Sequence, residues 1–156
     1  MNEQRRSILK GAGAASVVTV AAAAGLLKPG TVWAAGWNKA AFEAKDMAGA
    51  LSSEGASGGA DSGQITVKAP DIAENGAVVP VEVISAIPGT EHIIILAEKN
   101  GFPLIADFGL QNGAEGYVST RIKMGATSNV VAVVKAGGKV YKAAKEVKVT
   151  IGGCGG

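Results

Sequence analysis

Past residue 63 the chain alternates apolar and polar positions with a period of two. Ile65/Val67/Ala69 alternate with Thr66/Lys68, Val118/Thr120/Ile122 with Ser119/Arg121, and Val147/Val149/Ile151 with Glu146/Lys148/Thr150. Successive side chains of an extended chain point to opposite faces, so these runs are half-buried strands. Turn signals at Glu74-Asn75-Gly76, Pro88-Gly89, Asn100-Gly101, Gln111-Asn112-Gly113 and Gly137-Gly138 separate them. The spacing predicts about seven short strands of an antiparallel β-sandwich. They fall near 64–69, 78–85, 92–98, 103–108, 117–123, 129–135 and 139–151.

Three of these runs are apolar on both faces: Val78-Val79-Pro80-Val81-Glu82-Val83-Ile84, His92-Ile93-Ile94-Ile95-Leu96 and Val130-Val131-Ala132-Val133-Val134. An antiparallel sheet ordinarily leaves one face to water, so a second apolar face needs a cover. That cover is either a protein partner or an N-terminal helix. From Trp37 to Leu51 the period changes, with Trp37, Ala40/Ala41, Ala44, Met47/Ala48 and Leu51 on one helical stripe, and Gly49 weakening its end. Ser52 to Gly63 is rich in Ser, Gly and Ala without periodicity, and is expected to be a flexible linker or surface loop.

The first segment alters the charge balance. Arg5-Arg6-Ser7-Ile8-Leu9-Lys10 precedes an apolar run from Ala12 to Leu27 that is rich in Ala, Val and Gly, and Val32-Trp33-Ala34-Ala35 offers a small-residue cleavage site after Ala34. The run is short and weakly hydrophobic for a bilayer span, and the paired arginines match a twin-arginine export address. Removing residues 1–34 takes four of the 15 basic and one of the 13 acidic residues, which leaves 11 against 12. A near-neutral domain lacks the Lys/Arg surplus that nucleic acid or an anionic membrane requires. The expected organisation is a signal peptide over 1–34, helix and linker over 35–63, a sandwich over 64–151 and a terminal arm over 152–156. The address places the protein in the periplasm, and no cysteine follows the apolar run to carry a lipid anchor.

The candidate chemistry lies in the arm. Ile151-Gly152-Gly153-Cys154-Gly155-Gly156 holds the only cysteine of the chain between glycine pairs. Glycines lack Cβ atoms and adopt either sign of φ, so such a segment is flexible and slender. Three extended steps carry the Cys154 Cα about 10 Å beyond Ile151. A lone cysteine in an exported protein implies an intermolecular disulfide or a free thiol with a task.

No self-contained catalytic or metal site accompanies it, and no cofactor is implied. His92 is the single histidine and reads as an ordinary strand-start residue. Glu74, Glu82, Glu91, Glu98, Asp107, Glu115 and Glu146 neighbour turns or alternate along strands, and read as a solvated surface. No Gly-x-Ser-x-Gly stretch follows an apolar strand run as a nucleophile elbow requires, and no phosphate-binding glycine loop occurs. A free cysteine titrates near 8.5, so little of it is thiolate at neutral pH, and activation has to come from an enzyme that receives the arm. Cys154 therefore reads as a handle on which other enzymes act. The competing reading is an exported interaction protein that uses Cys154 for an intermolecular disulfide and gives a reducible dimer. Activation of the Gly155-Gly156 end as a thiocarboxylate would need cytosolic ATP, which the export address opposes.

The closing run Glu146-Val147-Lys148-Val149-Thr150-Ile151-Gly152-Gly153-Cys154-Gly155-Gly156 resembles the end of the SoxY family, the sulfur carriers of the thiosulfate-oxidising Sox system. Ile72-Ala73-Glu74-Asn75-Gly76 with Val79-Pro80-Val81, Pro103-Leu104-Ile105-Ala106-Asp107-Phe108 and Ser119-Thr120-Arg121-Ile122-Lys123-Met124 are similar to that family too; its pattern has a proline where Gly101 stands. The resemblance implies an immunoglobulin-like sandwich paired with a smaller SoxZ-like subunit. It implies that pathway intermediates ride on Cys154, with Gly152, Gly153, Gly155 and Gly156 as the arm. In that family the haem enzyme SoxAX couples thiosulfate to the thiol and the hydrolase SoxB releases sulfate. A sulfane dehydrogenase is the enzyme that would oxidise the remaining sulfur.

Overall fold

The computed structural model describes residues 37–150, so the signal read over 1–34 and the arm read over 152–156 lie outside the described residues. The alternating runs form strands much where the pattern predicts. In chain order the elements are α1 (Lys39–Glu43), α2 (Met47–Ser53), β1 (Ala60–Asp61), β2 (Ile65–Lys68), β3 (Ile72–Ala73), β4 (Val79–Ser85), β5 (Thr90–Ala97), β6 (Leu104–Gly109), β7 (Tyr117–Ile122), β8 (Ser128–Ala136) and β9 (Lys139–Val149). Two sheets result: a larger one ordered β1-β9-β8-β5-β6, with β3 also on β9, and a smaller one ordered β2-β4-β7. All pairings are antiparallel except those of β1 and β3 with β9. The architecture is an all-β, immunoglobulin-like sandwich with two short helices.

Gly137 (φ 55°) and Gly138 (φ 72°) supply the two left-handed residues of the tight β8–β9 turn, which pairs Ala136 with Lys139 and sets the register of both strands. Between the sheets, Val79, Val81, Val83, Val118 and Ile122 meet Ile93, Ile95, Val130, Ala132, Val134 and Val147. β5 and β8 send their alternate residues the other way: Ile94, Leu96, Val131 and Val133, with Leu104 of β6, pack beneath Ala41, Ala50 and Ala56. The two doubly apolar central strands are thus covered by the chain itself, so their second face does not require a partner. In β4, by contrast, Pro80 is exposed and Glu82 half-buried. The smaller sheet keeps the usual wet outer face, and the run that looked doubly apolar simply alternates.

The single helix expected over Trp37–Leu51 is two helices. Two helix starts compete within it, and the short polar side chains win. Asn38 caps α1 by accepting from the Ala41 N–H, Asp46 caps α2 by accepting from the Gly49 N–H at 2.7 Å, and Ala44 between them is extended with ψ 139°. Asn38 Nδ2 then donates to the Ser53 carbonyl at 2.7 Å, which ties the start of α1 to the end of α2. The 52–63 stretch carries more structure than its composition suggested. Ala56 is buried, β1 pairs with Tyr141 and Lys142, and Gly59 lies where a Cβ would come 3.0 Å from Val140 Cγ1. Parallel pairing to a distant strand leaves no local signature in a two-residue segment.

Candidate functional site

Cys154 and its flanking Gly152, Gly153, Gly155 and Gly156 lie outside the described residues; their point of attachment lies within them. The end of β9 is held from both sides. On one edge β3 pairs Ile72 with Lys148 and Ala73 with Val149, the Lys148 N–H donates to the Asp71 carbonyl at 3.0 Å, and the Thr150 N–H to the Ala73 carbonyl at 3.2 Å. On the other edge Thr127 Oγ1 accepts the Val149 N–H at 2.9 Å and donates to the Val149 carbonyl at 3.4 Å. Lys145 Nζ meets Asp71 Oδ1 at 3.0 Å, at the start of the β3 edge. These contacts hold the backbone as far as Thr150. Four residue steps span at most about 13–14 Å, which bounds the distance from the Thr150 Cα to the Cys154 Cα.

Beside this root lies a recess of about 400 Å³ lined by Lys99, Asn100, Gly101, Phe102, Lys123, Gly125 and Ala126. Asn100 fixes its floor, donating to the Lys123 carbonyl at 2.7 Å and accepting from the Gly125 N–H at 2.9 Å. Lys45 Nζ stands 3.4 Å above the Phe102 ring centre and links the helix connection to this loop. Among the described residues no group of three or more His, Cys, Asp or Glu side chains could hold a metal ion, and no helix is long and apolar enough to cross a membrane.

Sequence reasoning missed one ionisable group. His92 Nδ1 lies 2.9 Å from Asp107 Oδ1 and 3.1 Å from Oδ2, and the Asp107 side chain is only 19% exposed. Asp107 is therefore not part of a solvated surface, and His92 is more than a strand-start residue. Glu54 stands over this pair, its carboxyl held above the ordinary value by burial first and by the Asp107 carboxylate next. Lys135 Nζ donates to the Glu54 carbonyl at 3.0 Å. No sequence motif joins Glu54, His92, Asp107 and Lys135, because strand register brings them together.

The family model for "Sulfur oxidation protein SoxY" matches residues 53–154, a match that begins at the last residue of α2 and runs to Cys154 itself. The structure of the sulfur carrier protein SoxY from Chlorobium limicola f thiosulfatophilum is 49% identical, with 58% of this chain and 83% of that chain covered and a TM-score of 0.54. A structure of the bacterial superantigen toxic shock syndrome toxin-1 is 12% identical over 55% of this chain and 99% of that one, with a TM-score of 0.41. No curated protein matches. The family match and the 49% identical SoxY structure define the class, a carrier protein of sulfur oxidation. Within that class, the chain belongs to the SoxY family.

Proposed function

We propose that this chain is a periplasmic carrier that holds thiosulfate-derived sulfur covalently on Cys154 and presents it to the enzymes of the Sox system, in complex with a smaller SoxZ-like subunit. The observation that carries the reading is the family match that extends through to Cys154, combined with a strand end clamped just before the glycines. Such a root gives a swinging arm a fixed origin, so every acceptor enzyme meets the thiol within the same short radius. Residues 1–34 act as the export signal, and 152–156 as the arm.

Loading joins the Cys154 sulfur to the sulfane sulfur of thiosulfate, giving Cys–S–S–SO₃⁻, one proton and two electrons; the electrons pass to a haem enzyme such as SoxAX. Hydrolysis by a SoxB-type enzyme then cleaves the bond to the sulfonate: water adds to that sulfur, sulfate leaves with two protons, and Cys–S–S⁻ remains. A sulfane dehydrogenase is the candidate for the next oxidation. The chain itself supplies the nucleophilic atom and the tether, and the partner supplies activation. Lys99 and Lys123, beside the root, give the carrier a positive border suited to an anionic adduct.

Intact mass spectrometry of protein purified from thiosulfate-fed cells tests this. Sulfur-containing adducts on the wild-type chain, absent from Cys154→Ser, are the expected result. A thiol that is always bare, or found only in a reducible dimer, overturns it in favour of a disulfide-linking interaction protein.

A further inference from the structure

The recess beside the root of the arm gathers cations that nothing neutralises. Lys99 and Lys123 line it, and both are exposed. Lys45 Nζ stands 3.4 Å above the ring of Phe102, which is half exposed and lines the same recess. The ion pairs among the described residues all use other side chains, so these three lysines have no carboxylate partner there. Glu98, which precedes Lys99, is engaged by Asn129 Nδ2 at 2.9 Å, and no carboxylate lines the recess. The backbone N–H groups of Gly101 and Ala126, two further lining residues, have no partner among the described residues.

The recess is held in shape and close to the arm. Asn100 donates to the Lys123 carbonyl at 2.7 Å and accepts from the Gly125 N–H at 2.9 Å, which staples the β5–β6 connection to the β7–β8 connection. The second of these connections also clamps the root, because Ala126 is followed by Thr127, whose Oγ1 accepts the Val149 N–H at 2.9 Å. The path from Thr150 to Ala126 is therefore two residue steps of about 3.8 Å each and one side-chain bridge. A thiosulfonate on Cys154 reaches further than that path. It adds two sulfur–sulfur bonds of about 2 Å each to the four residue steps beyond Thr150.

We propose that the recess lined by Lys99, Lys123 and Phe102 is a docking site for the loaded arm, in which the sulfonate of Cys154–S–S–SO₃⁻ sits against the two lysines. The inference rests on the carrier reading above and names where the loaded group stays between enzymes. A sulfonate presents three acceptor oxygens and one negative charge, which suit two ammonium groups and open backbone N–H donors. Docked in this way, the sulfur–sulfur bonds lie against the protein and away from stray thiols until an acceptor enzyme draws the arm out.

Tetrathionate loads the full chain without any enzyme: the Cys154 thiolate attacks an inner sulfur, Cys–S–S–SO₃⁻ forms and thiosulfate leaves. The test is thus independent of whether cells load the chain, and its failure leaves the carrier reading standing. A chain carrying a neutral methyl disulfide on Cys154 keeps every other charge and is the reference. Sulfonate loading is expected to move the amide chemical shifts of Gly101, Phe102, Gly125 and Ala126 relative to that reference, with Val81 and Val83 of the smaller sheet unmoved. The double variant Lys99→Gln with Lys123→Gln should lose those shifts. Removal of the adduct by mercaptoethanol, which attacks as a thiolate, should be several-fold faster in that variant than in the wild type. A merely positive border has the opposite sign, since it attracts the thiolate and its loss slows the attack. Equal recess shifts in the sulfonate and methyl disulfide chains, or slower removal in the double variant, overturn the proposal. So does a recess that responds to free thiosulfate in Cys154→Ser and not to the loaded arm, which would make it a site for the free anion. Unmoved Val81 and Val83 amides in each variant separate these results from a loss of fold.

Discussion

Thr127 Oγ1 both accepts and donates at Val149, and so closes the free edge of β9 where β8 no longer runs beside it. Its replacement by valine keeps the shape and removes both bonds. The expected cost is about 1 kcal/mol, seen as a lower denaturant midpoint with an unchanged slope. The next residue provides the contrast. Ser128 is 4% exposed and its hydroxyl has no hydrogen-bond partner among the described residues, so Ser128→Ala is expected to cost nothing in the same measurement. The carrier role proposed for Cys154 is read from five consecutive residues of the sequence. The clamp is not legible there, since Thr127 and Val149 are 22 positions apart and neither is distinctive alone.

For the elements, the decisive competition is between a long apolar stripe and two short caps. The stripe from Trp37 to Leu51 predicts one helix, yet Asp46 withdraws its backbone from the helix and accepts from Gly49 at 2.7 Å, and the chain turns between α1 and α2. Asp46→Ala removes that acceptor. It should destabilise the domain by about 1 kcal/mol in chemical denaturation and weaken exchange protection across α2. The central strands illustrate the opposite outcome: their double apolarity correctly demanded a second cover, and the demand is met by Ala41, Ala50 and Ala56, whose small side chains let helix backbone come close to the sheet. Ile84, on the outer face of β4, has no such cover and is half-buried. The same kind of run therefore meant different things in different sheets, a distinction that depends on neighbours and not on composition.

At the scale of the whole molecule two apolar layers share one central sheet, and β5 contributes to both, with Ile93 and Ile95 between the sheets and Ile94 and Leu96 beneath the helices. Leu96→Ala is therefore expected to cost about 2–5 kcal/mol in equilibrium unfolding, as a cavity in a closed core does. A cost below 1 kcal/mol would mean that the helices do not seal that layer. The alternating pattern by itself determined the strands and the sandwich, because side-chain period is a local property. Tertiary structure alone decided what covers the central strands, how β1 and β3 attach to β9, and that Glu54, His92, Asp107 and Lys135 share one spot. Those arrangements depend on which distant residues a register sets side by side, and strand register is settled by the fit of the whole core rather than by any single segment.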